Sequence, residues 1–307
     1  MALTYPTRPG TIDKEQCLRF YSDGLSLDAS LYAPADPSPA KPVIMTCSGF
    51  QGLKTIHPAR FARAFTARGY SCFGFDYRGY GASEGEPGTV DEFIRDIANA
   101  LSFLSVHPTA RDRPIVLMGW GMGAGMILEA SRVAPCAAAL VAMNGFYDTE
   151  RIQQHLRGRR NWFDFRSWLE QERSRVTVSP ECPDLDPFDV YPLDQLTREY
   201  VDGVLRRNNG FGVPVKLGFA TSLLLFAPEK RLAHLDAVPI LIAHGDQNEL
   251  HPPGEARSLY DQYPGPKTLH WIKGGGHTEW MLDEHPKFQS LVETIDEWLT
   301  GLNWGSR

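Results

Sequence analysis

Short apolar runs that alternate with amphipathic stretches constrain this chain more than any other feature. Runs at 43–47, 71–77, 115–120, 138–143, 240–244 and 268–273 are almost continuously apolar, the pattern of parallel strands buried on both faces. Between them, 59–68, 124–133 and 254–263 have helical periodicity. A last helix opens at Pro286, is expected to bury Phe288, Leu291, Val292, Ile295, Trp298 and Leu299 on one stripe, and can stop at Gly301. Thr89 and Glu92 are spaced as a capping box, opening a helix with Phe93, Ile94, Ile97, Leu101 and Leu104 on one side. Ahead of all these, 15–21 and 25–32 flank Asp23-Gly24 and predict a hairpin. The expectation is an α/β fold: a mostly parallel central sheet with helices on both faces.

The alternation breaks once. About ninety residues between Gly145 and Leu235 have mixed helical and loop character, too many for a bare connection. The stretch is rich in aromatics, among them Trp162, Phe163, Phe165 and Trp168, and carries Arg157, Arg159 and Arg160. The expected organisation is a core from 1–145 and 236–307, with 146–235 inserted above the strand ends as a lid. The arginines form a solvated face or receive an anion.

Composition narrows the function. Of 307 residues, 31 are Lys or Arg and 37 are Asp or Glu, a net charge of −6, so no basic excess points to nucleic acid. No run of about 18 apolar residues predicts a membrane-spanning helix. Residues 1–10 have no apolar h-region, so a cytoplasmic location is expected. The five cysteines are scattered, without metal spacing or a disulfide framework. No His–carboxylate spacing matches a zinc motif, and no metal or organic cofactor is expected. The expected partner is a small molecule; no oligomeric state follows from the sequence.

Ligands of parallel sheets bind beyond the carboxyl ends of the strands. Three of those ends read Gly119-Trp120-Gly121-Met122-Gly123, Gly245-Asp246-Gln247-Asn248 and Gly274-Gly275-Gly276-His277. A phosphate loop would need a lysine that the first of them lacks. In this set the chain resembles the α/β-hydrolase superfamily, whose signature is a G-x-S-x-G elbow followed in chain order by an acid and a histidine. Asp76-Tyr77-Arg78-Gly79-Tyr80-Gly81 resembles the loop after the family's fourth strand, and Ser48-Gly49 stands where the family often has His-Gly. The resemblance covers nearly the whole chain. It extends to small esterases related to X-prolyl dipeptidyl peptidases and to hydrolases that process polyketides.

The resemblance implies that Gly121 occupies the nucleophile position, that His277 is the histidine, and that the N–H groups of Met122 and Phe50 form an oxyanion hole. Asn248 aligns with the usual acid, and Asp246 is the alternative partner of His277; Asp148 is a less favoured substitute. Trp120, Asn144, Trp162 and Trp168 are candidate substrate contacts. Cys47 reads as a packed strand residue. Gly121 has no side chain, so no atom is available for an acyl-enzyme.

The leading expectation is therefore an enzyme acting on an apolar carbonyl compound, with His277 as general base and no covalent intermediate, by hydrolysis, C–C cleavage or cyclisation. One alternative is a serine or cysteine hydrolase, thioesterase or acyltransferase whose nucleophile has been replaced by Gly121. The other is a non-catalytic ligand-binding or scaffold protein.

Overall fold

The computed structural model describes residues 14–34, 38 and 40–304. Residues 1–10, read above for leader features, lie outside them. The chain opens with β1 (Lys14–Ser22) and β2 (Leu25–Ala33), an antiparallel pair closed by Asp23 and Gly24. Both turn residues have positive φ, 50° and 84°, as a two-residue turn matching strand twist requires.

Next come β3 (Val43–Cys47), α1 (His57–Thr66), β4 (Ser71–Phe75), α2 (Val90–Val106), β5 (Ile115–Trp120), α3 (Met122–Val133) and β6 (Ala137–Met143). Thr89 caps α2 reciprocally with Glu92, as the spacing predicts. Between β6 and β9 lie α4 (Thr149–Arg157), α5 (Arg159–Arg175), β7 (Asp184–Leu185), α6 (Pro187–Val190), α7 (Gln195–Gly203), β8 (Val215–Lys216) and α8 (Leu217–Leu224). The chain ends with β9 (Ile240–Gly245), α9 (Pro253–Gln262), β10 (Lys267–Ile272) and α10 (Pro286–Gly301). Gly301 is the last helical residue rather than the stop beyond it.

The main sheet has the order β1-β2-β4-β3-β5-β6-β9-β10; β2 runs antiparallel to both of its neighbours, β1 and β4, and every other pairing is parallel. Strand periodicity divides the core in two. Val43, Met45, Ile115, Leu117 and Leu140 face α2, α3 and α9, whereas Ile44, Val116, Met118 and Val141 face α1 and α10. From β3 the chain moves outward to β4 and then returns to the other side of β3 as β5. That reversal opens a crevice at the carboxyl ends of β3 and β5, where open α/β sheets bind ligands.

Candidate active site

The crevice holds a pocket with a mainly apolar lining and a few polar groups, the character of a site for a small organic molecule. Its floor comes from the strand ends: Ser48, Gly49 and Phe50 after β3, and Trp120, Gly121 and Met122 around the β5–α3 turn. Its far wall is Phe188, Tyr191, Leu193, Val201, Leu205 and Phe211, all from the segment between β6 and β9. The Phe50 ring packs against Phe188 at 6.4 Å and Tyr191 at 6.0 Å, joining floor to far wall.

The β5–α3 turn has the geometry of a nucleophile elbow. Gly121 has φ 57° and ψ −122°, a region that strains L side chains and is imposed by the sharp strand-to-helix reversal. A Cβ on Gly121 would meet nothing closer than His277 Nε2 at 3.6 Å, then His251 Cε1 at 3.9 Å. The glycines around it are demanded by close approach instead: a Cβ on Gly123 would lie 2.4 Å from Ser48 O, and one on Gly49 would lie 2.7 Å from Trp120 O. The β3 loop is thereby pressed against the start of α3. Met122, the first residue of that helix, has no intrahelical carbonyl for its N–H; among the described residues Phe50 N–H also has no partner. Asp76 Oδ1 accepts Lys54 N–H at 2.6 Å, fixing the β3 loop against the end of β4.

His277 is buried beside Gly121, and its Nδ1 lies 3.2 Å from Asn248 Nδ2. The partner of His277 is thus Asn248 and not Asp246. The turn after β9 sends Asp246 outward, where Oδ1 accepts Gly274 N–H at 2.7 Å and Oδ2 lies 3.5 Å from Lys273 Nζ. Asp148 also points elsewhere, capping α4 and pairing with Lys230.

The proton positions follow from groups that can only donate or only accept. Asn248 Oδ1 accepts His251 N–H at 3.0 Å, which leaves the amide nitrogen facing His277 Nδ1 as a donor. Burial, then the neighbouring His251, His244 and His57, hold the His277 pKa well below its usual value. A neutral ring that accepts at Nδ1 carries its proton on Nε2, facing the space above Gly121. The triad arrangement is inverted: a carboxylate partner leaves Nε2 free to accept, whereas this amide makes Nε2 a donor.

A second histidine completes the group. His251 packs edge-on to His277, ring centroids 4.5 Å apart, and its Nδ1–H donates to Asn144 O at 2.6 Å. Burial pushes its pKa down to about 3. The remaining lone pair on Nε2 accepts the Tyr191 hydroxyl at 2.7 Å. Asn144, expected to touch substrate, lies behind the site. Its Nδ2 donates to Gly276 O and His277 O (3.2 and 2.7 Å), its Oδ1 accepts Gly245 N–H, and its own φ is 46°. It is a clamp for both histidines, not a cavity wall.

Trp120 lines the cavity. Trp162 and Trp168 do not: both lie on α5, which packs on α4 and α8 away from the strand ends. Trp162 is buried there, and Trp168 is partly exposed and stacked on Phe165. Arg157 donates to Asp189 O, Val190 O and Gln153 Oε1 and covers the Phe165 ring, holding this segment together rather than facing an anion. Cys47 is a buried strand residue whose thiol pKa is raised by burial.

Sequence reasoning missed His57, His251 and Thr278, all of which line the cavity. Only His251 has a local signal: it stands three residues after Asn248, the spacing at which an Asn side chain captures a backbone N–H. Further polar atoms of the wall have no protein partner: Ser48 Oγ, His57 Nε2, Trp120 Nε1, Thr197 Oγ1 and Thr278 Oγ1. Leaving such a group unpaired costs about 1–3 kcal/mol. No group of metal-ligating side chains occurs among the described residues.

Fold, elbow and histidine place the chain in one class, and residues 46–288 match the model of the Alpha/beta hydrolase family. The chain belongs to that family and is an enzyme of its superfamily. It is 27% identical to the polyketide transferase ATR5 of Stachybotrys chlorohalonatus over 271 residues, 83% of this chain and 86% of the relative. It is 24% identical to an uncharacterized 31.7 kDa protein of Escherichia coli over 264 residues, 84% and 90% of the two chains. The crystal structure of the alpha/beta hydrolase GrgF from Penicillium superposes with a TM-score of 0.76 at 19% identity, covering 94% of this chain and 98% of that one. No helix among the described residues is long and apolar enough to cross a membrane.

Proposed function

We propose that this protein polarises the carbonyl of an apolar small molecule and promotes proton transfer on it without an acyl-enzyme intermediate. The observation that carries this reading is the 3.2 Å contact of Asn248 Nδ2 with His277 Nδ1, from which the proton on Nε2 is inferred. Nε2–H, together with the N–H groups of Met122 and Phe50, offers three neutral donors to one oxygen above Gly121. Donors already in place where negative charge develops, in a site shielded from water, stabilise an enolate or oxyanion strongly. A neutral histidine is well suited to this role, since it polarises a carbonyl without surrendering a full proton. The role of His277 as general base fits less well, because its one lone pair is held by Asn248.

The proton acceptor is the Tyr191–His251 pair. Of the two ring lone pairs beside Gly121, only that of His251 is bonded to a group able to release its proton. The substrate C–H or O–H bond breaks and its proton passes to Tyr191 Oη; the phenolic proton passes to His251 Nε2. The electron pair ends on the carbonyl oxygen among the three donors, and His251 becomes an imidazolium beside the anion it balances. The segment from 146 to 235 acts as the lid, supplying Tyr191 and the aromatic wall that excludes water. Kinship with a polyketide transferase agrees with an apolar, carbonyl-bearing substrate.

Deuterium exchange at the α-carbon of 4-phenyl-2-butanone, followed by NMR, tests this. The protein accelerates exchange, and His277→Ala and Tyr191→Phe each slow it by about 10²-fold or more. Equal exchange with and without the protein contradicts the reading.

The room above Gly121 favours a second reading, an ordinary hydrolase whose nucleophile has been replaced. A Cβ there would sit 3.6 Å from His277 Nε2. Asn248 opposes it, since that reading calls for a carboxylate at the same place.

A further inference from the structure

We infer that Gln51 is a positioning residue, through which the seating of the segment between β6 and β9 sets the place of the Phe50 N–H donor. The inference rests on the carbonyl-binding reading above and adds how that site is assembled. Gly52 N–H donates to Gly49 O at 3.1 Å, so Phe50 and Gln51 are the central residues of a β-turn. Gln51 has φ 58°, in the left-handed region where such a turn ordinarily takes glycine or asparagine. A glutamine there is strained, and such strain persists only where the surroundings hold it.

The side chain supplies the hold. Gln51 is buried but is not among the residues that line the cavity. Its Nε2 donates to the Tyr80 hydroxyl at 3.0 Å and to Val213 O at 3.1 Å. Tyr80 belongs to the loop after β4 and Val213 to the stretch before β8, so one amide ties the turn both to the core and to the segment above it. Val213 O can only accept, which fixes the amide nitrogen on that side. A glycine would suit the backbone and make neither bond.

The neighbouring residue is braced by the same segment. The Phe50 ring meets Phe188 and Tyr191 at 6.4 and 6.0 Å and stacks on Phe219 at 5.0 Å, and all three lie between β6 and β9. The two amide donors therefore differ. Met122 N–H is set by the start of α3 within the core, whereas Phe50 N–H sits in a strained turn whose ring contacts and side-chain bond both reach that segment. If the segment lifts, the Val213 bond and the ring contacts are lost together and the turn can relax. Closure over a substrate thus completes the donor set.

Deuterium exchange into 4-phenyl-2-butanone and amide hydrogen exchange of the whole protein, read on the same two variants, test this. Gln51→Gly removes the amide and relieves the backbone; Gln51→Met removes the amide and keeps the bulk. Each is expected to lower kcat for the ketone about 10-fold or more with KM within about 2-fold, as for a donor that acts mainly in the transition state. In each, the amides of 49–52 and of 211–219 are expected to exchange at least about 10-fold faster together, while those of β5 and α3 stay unchanged. A role limited to backbone strain would spare Gln51→Gly, whose residue fits the turn. Full kcat in either variant, or faster amide exchange confined to 49–52, overturns the inference. If the unaltered protein moves no deuterium into the ketone while both stretches still loosen together, the carbonyl reading fails and the link between turn and segment stands. Absence of that joint loosening overturns the inference whatever the ketone shows.

Discussion

Asn248 donates its side-chain amide to Nδ1 of His277 across 3.2 Å, and this one contact determines what the histidine can do. The amide cannot turn over without losing the 3.0 Å bond from His251 N–H to its oxygen. An amide in the acid's place therefore selects the tautomer that presents a proton to the cavity. In serine triads the same exchange of Asp for Asn leaves geometry intact and lowers turnover about 10⁴-fold. Here no nucleophile is present to be deactivated, and the inverted tautomer acts as an electrophile.

Restoring the two missing groups should therefore be strongly non-additive. Gly121→Ser places a hydroxyl within reach of His277, but Nε2–H cannot accept its proton, and esterase activity on p-nitrophenyl acetate should stay near background. Adding Asn248→Asp reverses the tautomer and should raise that activity at least about 10²-fold over the single variant. A Gly121→Ser single variant as fast as the double variant contradicts the tautomer assignment.

Asn144 should prove a stability residue with catalytic consequences. Its side chain makes three buried hydrogen bonds, to Gly276, His277 and Gly245, from a backbone at φ 46° that Asn tolerates better than most residues. Asn144→Ala should cost about 3 kcal/mol at roughly 1 kcal/mol per bond, read from urea unfolding. It should also weaken binding of 4-phenyl-2-butanone by releasing His277 and His251 together. A change below about 0.5 kcal/mol would show that these bonds do not hold the site.

The fold and elbow are legible in the sequence, whereas much of the cavity is not. Buried parallel strands are written as continuous apolar runs: 43–47 and 115–120 coincide with β3 and β5, and Thr89–Glu92 marks the start of α2. Glycines at 119 and 123 announce the elbow because close backbone contact demands them, and Gly121 because its φ is positive. The choice between Asp246 and Asn248 is different. It depends on how the loop after β9 turns, through Asp246 N–H to Ile272 O and Gln247 N–H to Gly275 O, contacts made with the end of β10, far along the chain. Trp162 and Trp168 were misread for a related reason: which face of α5 is covered depends on where α4 and α8 pack, not on its own periodicity. His57 has no local signature at all and joins the cavity only because α1 begins beside Trp120.

The buried histidines make the protein acid-sensitive near neutrality. His57 and His251 are pushed down to about 3 and His244 to about 4, each by burial, and His277 lies well below its usual value. The unfolded chain, with histidines near 6.5, binds more protons than the native one as pH falls through that value, so stability falls with pH. Between pH 7 and 6 the loss is about 0.7 kcal/mol per histidine, roughly 3 kcal/mol for the four. Asp76, raised by burial to about 6, acts in the opposite sense, gaining roughly 0.4 kcal/mol over the same interval, far less than the four histidines lose. The urea midpoint should therefore be lower at pH 6 than at pH 7; an unchanged or higher midpoint contradicts neutral burial of these rings.

Nitrogen-15 NMR of the imidazole rings, with His277→Gln for assignment, tests the central claim most directly. The account predicts that His277 carries its proton on Nε2 and a bare Nδ1, with both signals constant from pH 5 to 8. A proton on Nδ1, or titration of the ring near 6.5, would return His277 to the role of a base and contradict the account.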